Sequence, residues 1–113
     1  MRTMPFALLI ACLMLAACAK PMTLSDFRFR CRFAEQNGGS FSDTSGCNFQ
    51  MQENLCRDYA NALAQDYLGR GECIQACRDV QQSYSLRAAP MGCLRYTQRT
   101  QTICEQYCRQ NYQ

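Results

Sequence analysis

Ten cysteines and no histidine stand in a chain of 113 residues. Sulfur is therefore the element with chemistry to offer, as disulfide, thiolate nucleophile, metal ligand or acylation site. The lack of histidine removes Ser-His and Cys-His catalytic pairs and every metal site that needs imidazole. No two cysteines stand in C-x-x-C spacing, the usual arrangement of a thiol-disulfide catalyst. Met22, Met51 and Met91 are too dispersed to complete a soft-metal site. No nucleophile, base and oxyanion stabiliser can be named together, so the expectation is a non-enzyme with no cofactor and no metal.

Two cysteine pairs have helical spacing: Cys73 with Cys77, and Cys104 with Cys108. Residues four apart share one face of a helix, so each pair presents two sulfurs in a row to whatever packs against it. Partners across an antiparallel helical hairpin have equal index sums, a condition met by Cys73 with Cys108 and Cys77 with Cys104. The implied midpoint lies between Pro90 and Met91, where Pro90 and Gly92 supply turn signals. Two bridges would then staple two helices in register. This arrangement is similar to the twin C-x3-C hairpins of small mitochondrial chaperones and some plant defence peptides. The resemblance is architectural and covers Cys73 to Cys108. The 26 residues between the motifs include an extra Cys93, and no function is carried over. Cys31, Cys47, Cys56 and Cys93 remain, with three pairings open; Cys56 with Cys93 and Cys31 with Cys47 is the preferred one.

These sulfurs need elements to hold them. Met51, Leu55, Tyr59, Leu63 and Tyr67 recur every four residues, the period of a helix buried on one side, and Gly69-Arg70-Gly71 should stop it. A second helix should carry Cys73, Ile74, Cys77, Val80 and Tyr84 on one face. A third should run from about Cys93 to Tyr112 with Thr100, Cys104, Tyr107 and Cys108 as its stripe. Short connections between three helices predict an up, down, up arrangement. Ahead of them, Phe27-Arg28-Phe29-Arg30-Cys31-Arg32-Phe33 alternates apolar with cationic residues, which predicts an extended segment with Arg28, Arg30 and Arg32 on one side. Residues 37–46 read as a turn-rich loop. The expected fold is mainly α, a small disulfide-stapled three-helix domain over residues 27–113 with a short extended N-terminal segment.

The N-terminus carries Arg2 and then sixteen apolar or small residues from Met4 to Ala19, the pattern of a secretory signal. A transmembrane helix is the competing reading, but crossing the hydrocarbon takes about 20 apolar residues. The run ends Leu15-Ala16-Ala17-Cys18 and here resembles the lipobox of bacterial lipoproteins. The resemblance covers the signal alone. It implies that residues 1–17 are removed, that Cys18 receives a diacylglycerol, and that its new amino group is acylated. Ala19 stands where an aspartate marks inner-membrane retention in many such proteins, so the resemblance implies the outer membrane. Ala17-Cys18-Ala19 is also a small-x-small cleavage signal, and a cut after Ala19 would release a soluble protein. Either route leaves eight cysteines to pair. Residues 18–26, with Pro21 and small polar residues, read as a tether.

Loss of Arg2 leaves eleven basic and nine acidic residues, a net charge of +2, too small to argue for nucleic acid. Arg28, Arg30 and Arg32 are the sharpest cationic cluster, suited to lipid phosphates or an acidic partner. Tyr96 and Tyr112 fit the helical stripe less well than the other tyrosines and are the candidates among them for a contact surface. The functional expectation is a disulfide-rich lipoprotein of the bacterial cell envelope, held by a lipid at Cys18, that binds a protein or envelope-surface partner or acts structurally at the outer membrane. A secreted cysteine-rich inhibitor or effector is the alternative, followed by a thiol- or metal-binding envelope protein.

Overall fold

A computed structural model describes residues 20–34, 47, 49–88 and 93–113. The signal segment with Cys12 and Cys18, the loop at 37–46 and the break at Pro90 and Gly92 lie outside them. The described residues form four helices: α1 (Leu24–Arg32), α2 (Phe49–Leu63), α3 (Arg70–Ala88) and α4 (Leu94–Asn111). The mainly α, disulfide-stapled class is as expected, with one helix more than the periodicity predicted.

The extra helix replaces the extended segment. Thr23 is its N-cap: the Thr23 hydroxyl accepts from the Asp26 backbone N–H at 3.1 Å, and the Asp26 carboxylate accepts from the Thr23 N–H at 2.9 Å. This reciprocal capping box satisfies two backbone donors that a helix start leaves orphaned. Arg30 and Arg32 in the last turn complement the helix dipole. Phe27 and Cys31, four apart, are buried together, while Phe29 stacks on Phe33 at a centroid distance of 4.8 Å. An alternation only seven residues long fits a strand, yet its members four apart also define a helical face, and the cap decides between them. The folded domain accordingly begins ahead of residue 27. Met22 is 3% exposed; its N–H donates to Gln110 Oε1 at 2.7 Å and its carbonyl accepts from Asn111 Nδ2 at 2.9 Å.

The helices alternate in direction. Asp58 of α2 meets Tyr84 of α3, and Tyr59 of α2 meets Gln101 of α4. With α1 starting beside Gln110 and ending beside Tyr96, α1 and α3 run opposite to α2 and α4. The α2 and α4 helices touch each other along the short diagonal, flanked by α1 on one side and α3 on the other. Tyr67, expected as the last residue of the first helical stripe, lies beyond the end of α2. Its ring packs edge-on against Tyr112, and its hydroxyl donates to the Ala62 carbonyl.

Four disulfides close this arrangement. Cys73–Cys108 and Cys77–Cys104 join α3 to α4 as the index rule requires, with Cα separations of 5.6 and 5.9 Å. Cys77 Sγ lies 3.7 Å from Cys108 Sγ, so the two bridges form one block of sulfur. The preferred pairing of the other four is corrected: Cys31 joins Cys56 and Cys47 joins Cys93. Cys56 sits two turns inside α2, where Cys31 of α1 stands opposite it, and it reaches α4 only through the long side chain of Tyr96. Cys47 precedes α2 and is level with that start. Joining residues 27 apart by Cys77–Cys104 removes loop entropy from the unfolded chain worth about 3.5 kcal/mol. The double variant Cys77→Ala with Cys104→Ala should lose less than that, about 2.5 kcal/mol, in denaturant unfolding while keeping its helical circular dichroism, because Cys73–Cys108 still closes the enclosing loop and preserves the register.

Candidate functional site

Beside the Cys31–Cys56 bridge, α1 and α2 leave a surface groove of about 320 Å³. Its construction starts from a buried hydroxyl. Tyr96 of α4 is 1% exposed, its hydroxyl donates to the Cys31 carbonyl at 2.7 Å, and its oxygen lies 2.9 Å from Cys56 Sγ. That contact gives the Cys31 carbonyl, which also accepts from the Ala34 N–H at 3.3 Å, a second donor and seats α1 on the α2–α4 pair. Tyr96 is therefore not on a contact surface as its place in the stripe suggested; it lies beneath the groove. Tyr112 also faces inward in part, packing on Tyr67 and donating to the Gln65 carbonyl at 3.3 Å.

Helical geometry splits the arginine row. Arg28 and Arg32 are one turn apart on the α1 face that lines the groove. Arg30 points about 160 to 200° away from them, and is exposed outside the groove. The α2 wall supplies residues that the sequence reading passed over: Phe49, 65% exposed at one end, then Asn54 and Arg57, and Asn61 at the other. Because α1 and α2 are antiparallel, Arg28 comes level with the Arg57–Asn61 end and Arg32 with Glu53. Arg32 Nη2 stands 3.8 Å from Glu53 Oε1 across the groove. Three guanidiniums against one carboxylate leave the lining cationic.

Arg57 is exposed and stands beside its sequence neighbour Asp58. Its Nε lies 3.7 Å from Asp58 Oδ1, and Asp58 Oδ2 accepts from the Tyr84 hydroxyl at 2.5 Å. Burial, reinforced by that bond to a carboxylate, pushes the Tyr84 phenol up to about 12. Burial raises the Tyr59 phenol as well; its hydroxyl donates to Gln101 Oε1 at 3.0 Å. Gln101 donates to Glu105 at 3.0 Å, and Glu105 meets Arg109 at 2.7 Å and Arg78 at 3.8 Å. A polar chain thus crosses α2, α4 and α3, and no buried side-chain nitrogen or oxygen among the described residues lacks a partner.

The groove offers guanidiniums, amides and one exposed aromatic ring, that of Phe49, a set that binds anions and hydrogen-bonding groups. The eight described cysteines are all in disulfides, which leaves them neither nucleophilic nor ligating in this state. The chain matches no protein-family model, no curated protein and no solved structure.

Tyr96→Phe should cost about 0.5–1.5 kcal/mol in denaturant unfolding, since it removes one buried hydrogen bond while the Cys31 carbonyl keeps the Ala34 N–H. Alkaline behaviour follows from the tyrosines. An unfolded phenol ionises near pH 10, and the folded Tyr84 only near 12. The folded state holds its proton longer, so this stability is present in full below pH 10 and is lost as pH rises from 10 to 12. Tyr84→Phe should flatten that part of a stability-against-pH curve, as measured by unfolding monitored at a series of alkaline pH values.

Proposed function

We propose that this chain is a small, disulfide-locked lipoprotein of the bacterial cell envelope, anchored through Cys18 and acting as a binding component at the outer membrane. The observation that carries the reading is the commitment of all eight cysteines from Cys31 to Cys108 to disulfides. Such a density of bridges belongs to proteins that mature in an oxidising compartment, which agrees with the signal-like N-terminus. With Cys12 lost in the signal, Cys18 is left without a cysteine partner and stands in the lipobox-like Leu15-Ala16-Ala17-Cys18.

Geometry adds support. Met22 is held against Gln110 and Asn111, so the link from Cys18 to the domain is four residues, about 14 Å at full extension. A lipid at Cys18 would keep the domain beside the bilayer. Among the described residues no helix is long and apolar enough to cross a membrane, and attachment on this reading is by acyl chains, of which more than one is needed for stable anchoring. The working surface is the α1–α2 groove. The small-x-small sequence Ala17-Cys18-Ala19 favours a second reading, a soluble secreted inhibitor or effector cut after Ala19.

Intact-mass measurement on protein from its native host, unreduced and treated with a thiol-alkylating reagent, separates the two. The expected product starts at Cys18, is heavier by glyceride and acyl groups, carries no alkylation and sediments with outer membranes, and Cys18→Ser should remove the lipid mass. A chain starting at Lys20 without lipid would replace this reading by the secreted one, and alkylated cysteines would reopen thiol or metal chemistry.

A further inference from the structure

We infer that the α1–α2 groove binds an extended acidic peptide segment of a protein partner, with an apolar side chain of that segment against Phe49. The inference names the ligand class for the working surface given above and so rests on that reading of the chain as a binding component. From Phe49 to Asn61 the α2 wall rises about 18 Å, the length of five or six residues of extended chain. Arg28 and Arg57 stand toward one end and Arg32 toward the other, a distribution that suits carboxylates spaced along a chain. Arginine is suited to the task because its planar fork accepts a carboxylate through two parallel bonds.

The remaining lining fits the same ligand. Asn54 and Asn61 carry both donors and acceptors, as recognition of peptide N–H and C=O groups requires. Phe49 exposes 65% of its surface at the end away from the domain's tethered start. A bilayer would meet the end of the bundle where Met22 enters, whereas this groove runs along the flank of the helices. A passing peptide can follow that flank, and a flat headgroup surface meets only one end of it. The floor is rigid, formed by the Cys31–Cys56 bridge above Tyr96, so little ordering is needed on binding.

The test uses oxidised protein purified in a neutral detergent, so that peptide binding is read whether or not Cys18 carries lipid. A fluorescently labelled peptide alternating glutamate and phenylalanine is titrated by anisotropy, beside one with lysine in place of glutamate. Saturable binding of the acidic peptide alone is expected, weakening at least about tenfold between about 50 and 500 mM salt. Arg28→Ser with Arg57→Ser should weaken it about tenfold or more, Phe49→Ala should weaken it at low and high salt alike, and Arg95→Ser on α4 should leave it unchanged. Free-thiol counts and circular dichroism establish that each variant retains its bridges and helices. Absence of saturable binding, equal binding of both peptides, or unchanged affinity in the folded arginine variant would overturn the inference. Arginine-dependent binding of phosphatidylglycerol vesicles with no binding of the peptide would overturn it in favour of a lipid-facing groove. Lack of lipid in the intact mass would refute the anchor and leave the groove result standing.

Discussion

Sulfur takes the place in this domain that aliphatic side chains hold in most. Of the sixteen buried apolar residues among those described, seven are half-cystines and two are leucines, so large aliphatic side chains make up little of the core. The block made by Cys73–Cys108 and Cys77–Cys104 fixes α3 and α4 in a single register. Sliding one helix past the other by a turn would break both bridges at once. Against that hairpin α2 packs by Leu55, Tyr59 and Leu63, and α1 closes over the seam between α2 and α4. Covalent closure narrows the unfolded ensemble, which a chain this size needs when its core is small.

Polar groups inside the bundle settle orientation where few aliphatics are present to do so. Tyr59, Gln101, Glu105, Arg78 and Arg109 form one chain of hydrogen bonds and ion pairs across three helices. Tyr84 reaches Asp58 in the same manner between α2 and α3. Each ring buries its face and keeps its hydroxyl bonded, the behaviour that makes tyrosine useful at a boundary. Within the buried Tyr59–Gln101 pair, removing one partner strands the other in a low-dielectric interior, whereas Arg78 and Arg109 are more than half exposed. The groove inherits this order, since α1 is seated through Tyr96.

How much of this was legible varies with the range of the interaction. The helical hairpin and its two bridges could be read because four-residue spacing and matched index sums are local and arithmetic. The first helix is masked in the sequence: Thr23 and Asp26 stand in capping-box spacing, but the box falls in a stretch whose Pro21 and small polar residues suggest a linker. The arginine row is visible as a cluster, but its alternation has the period of a strand, which groups Arg30 with two residues that face elsewhere on a helix. Phe49, Asn54, Arg57 and Asn61 carry no motif. They become a wall only when α1 lies opposite them.

By itself the sequence determined that the chain is mainly helical, that sulfur bridges staple it, and which two bridges join α3 to α4, because these follow from side-chain period and spacing along one dimension. Tertiary structure alone decided that Cys31 meets Cys56 and Cys47 meets Cys93. It also decided that Tyr96 is buried beneath a groove and that two of the three arginines line it. Those outcomes depend on the packing of α1 across α2 and α4, where contacts of high sequence separation compete on nearly equal terms until a buried hydroxyl, a cap and a bridge are satisfied together.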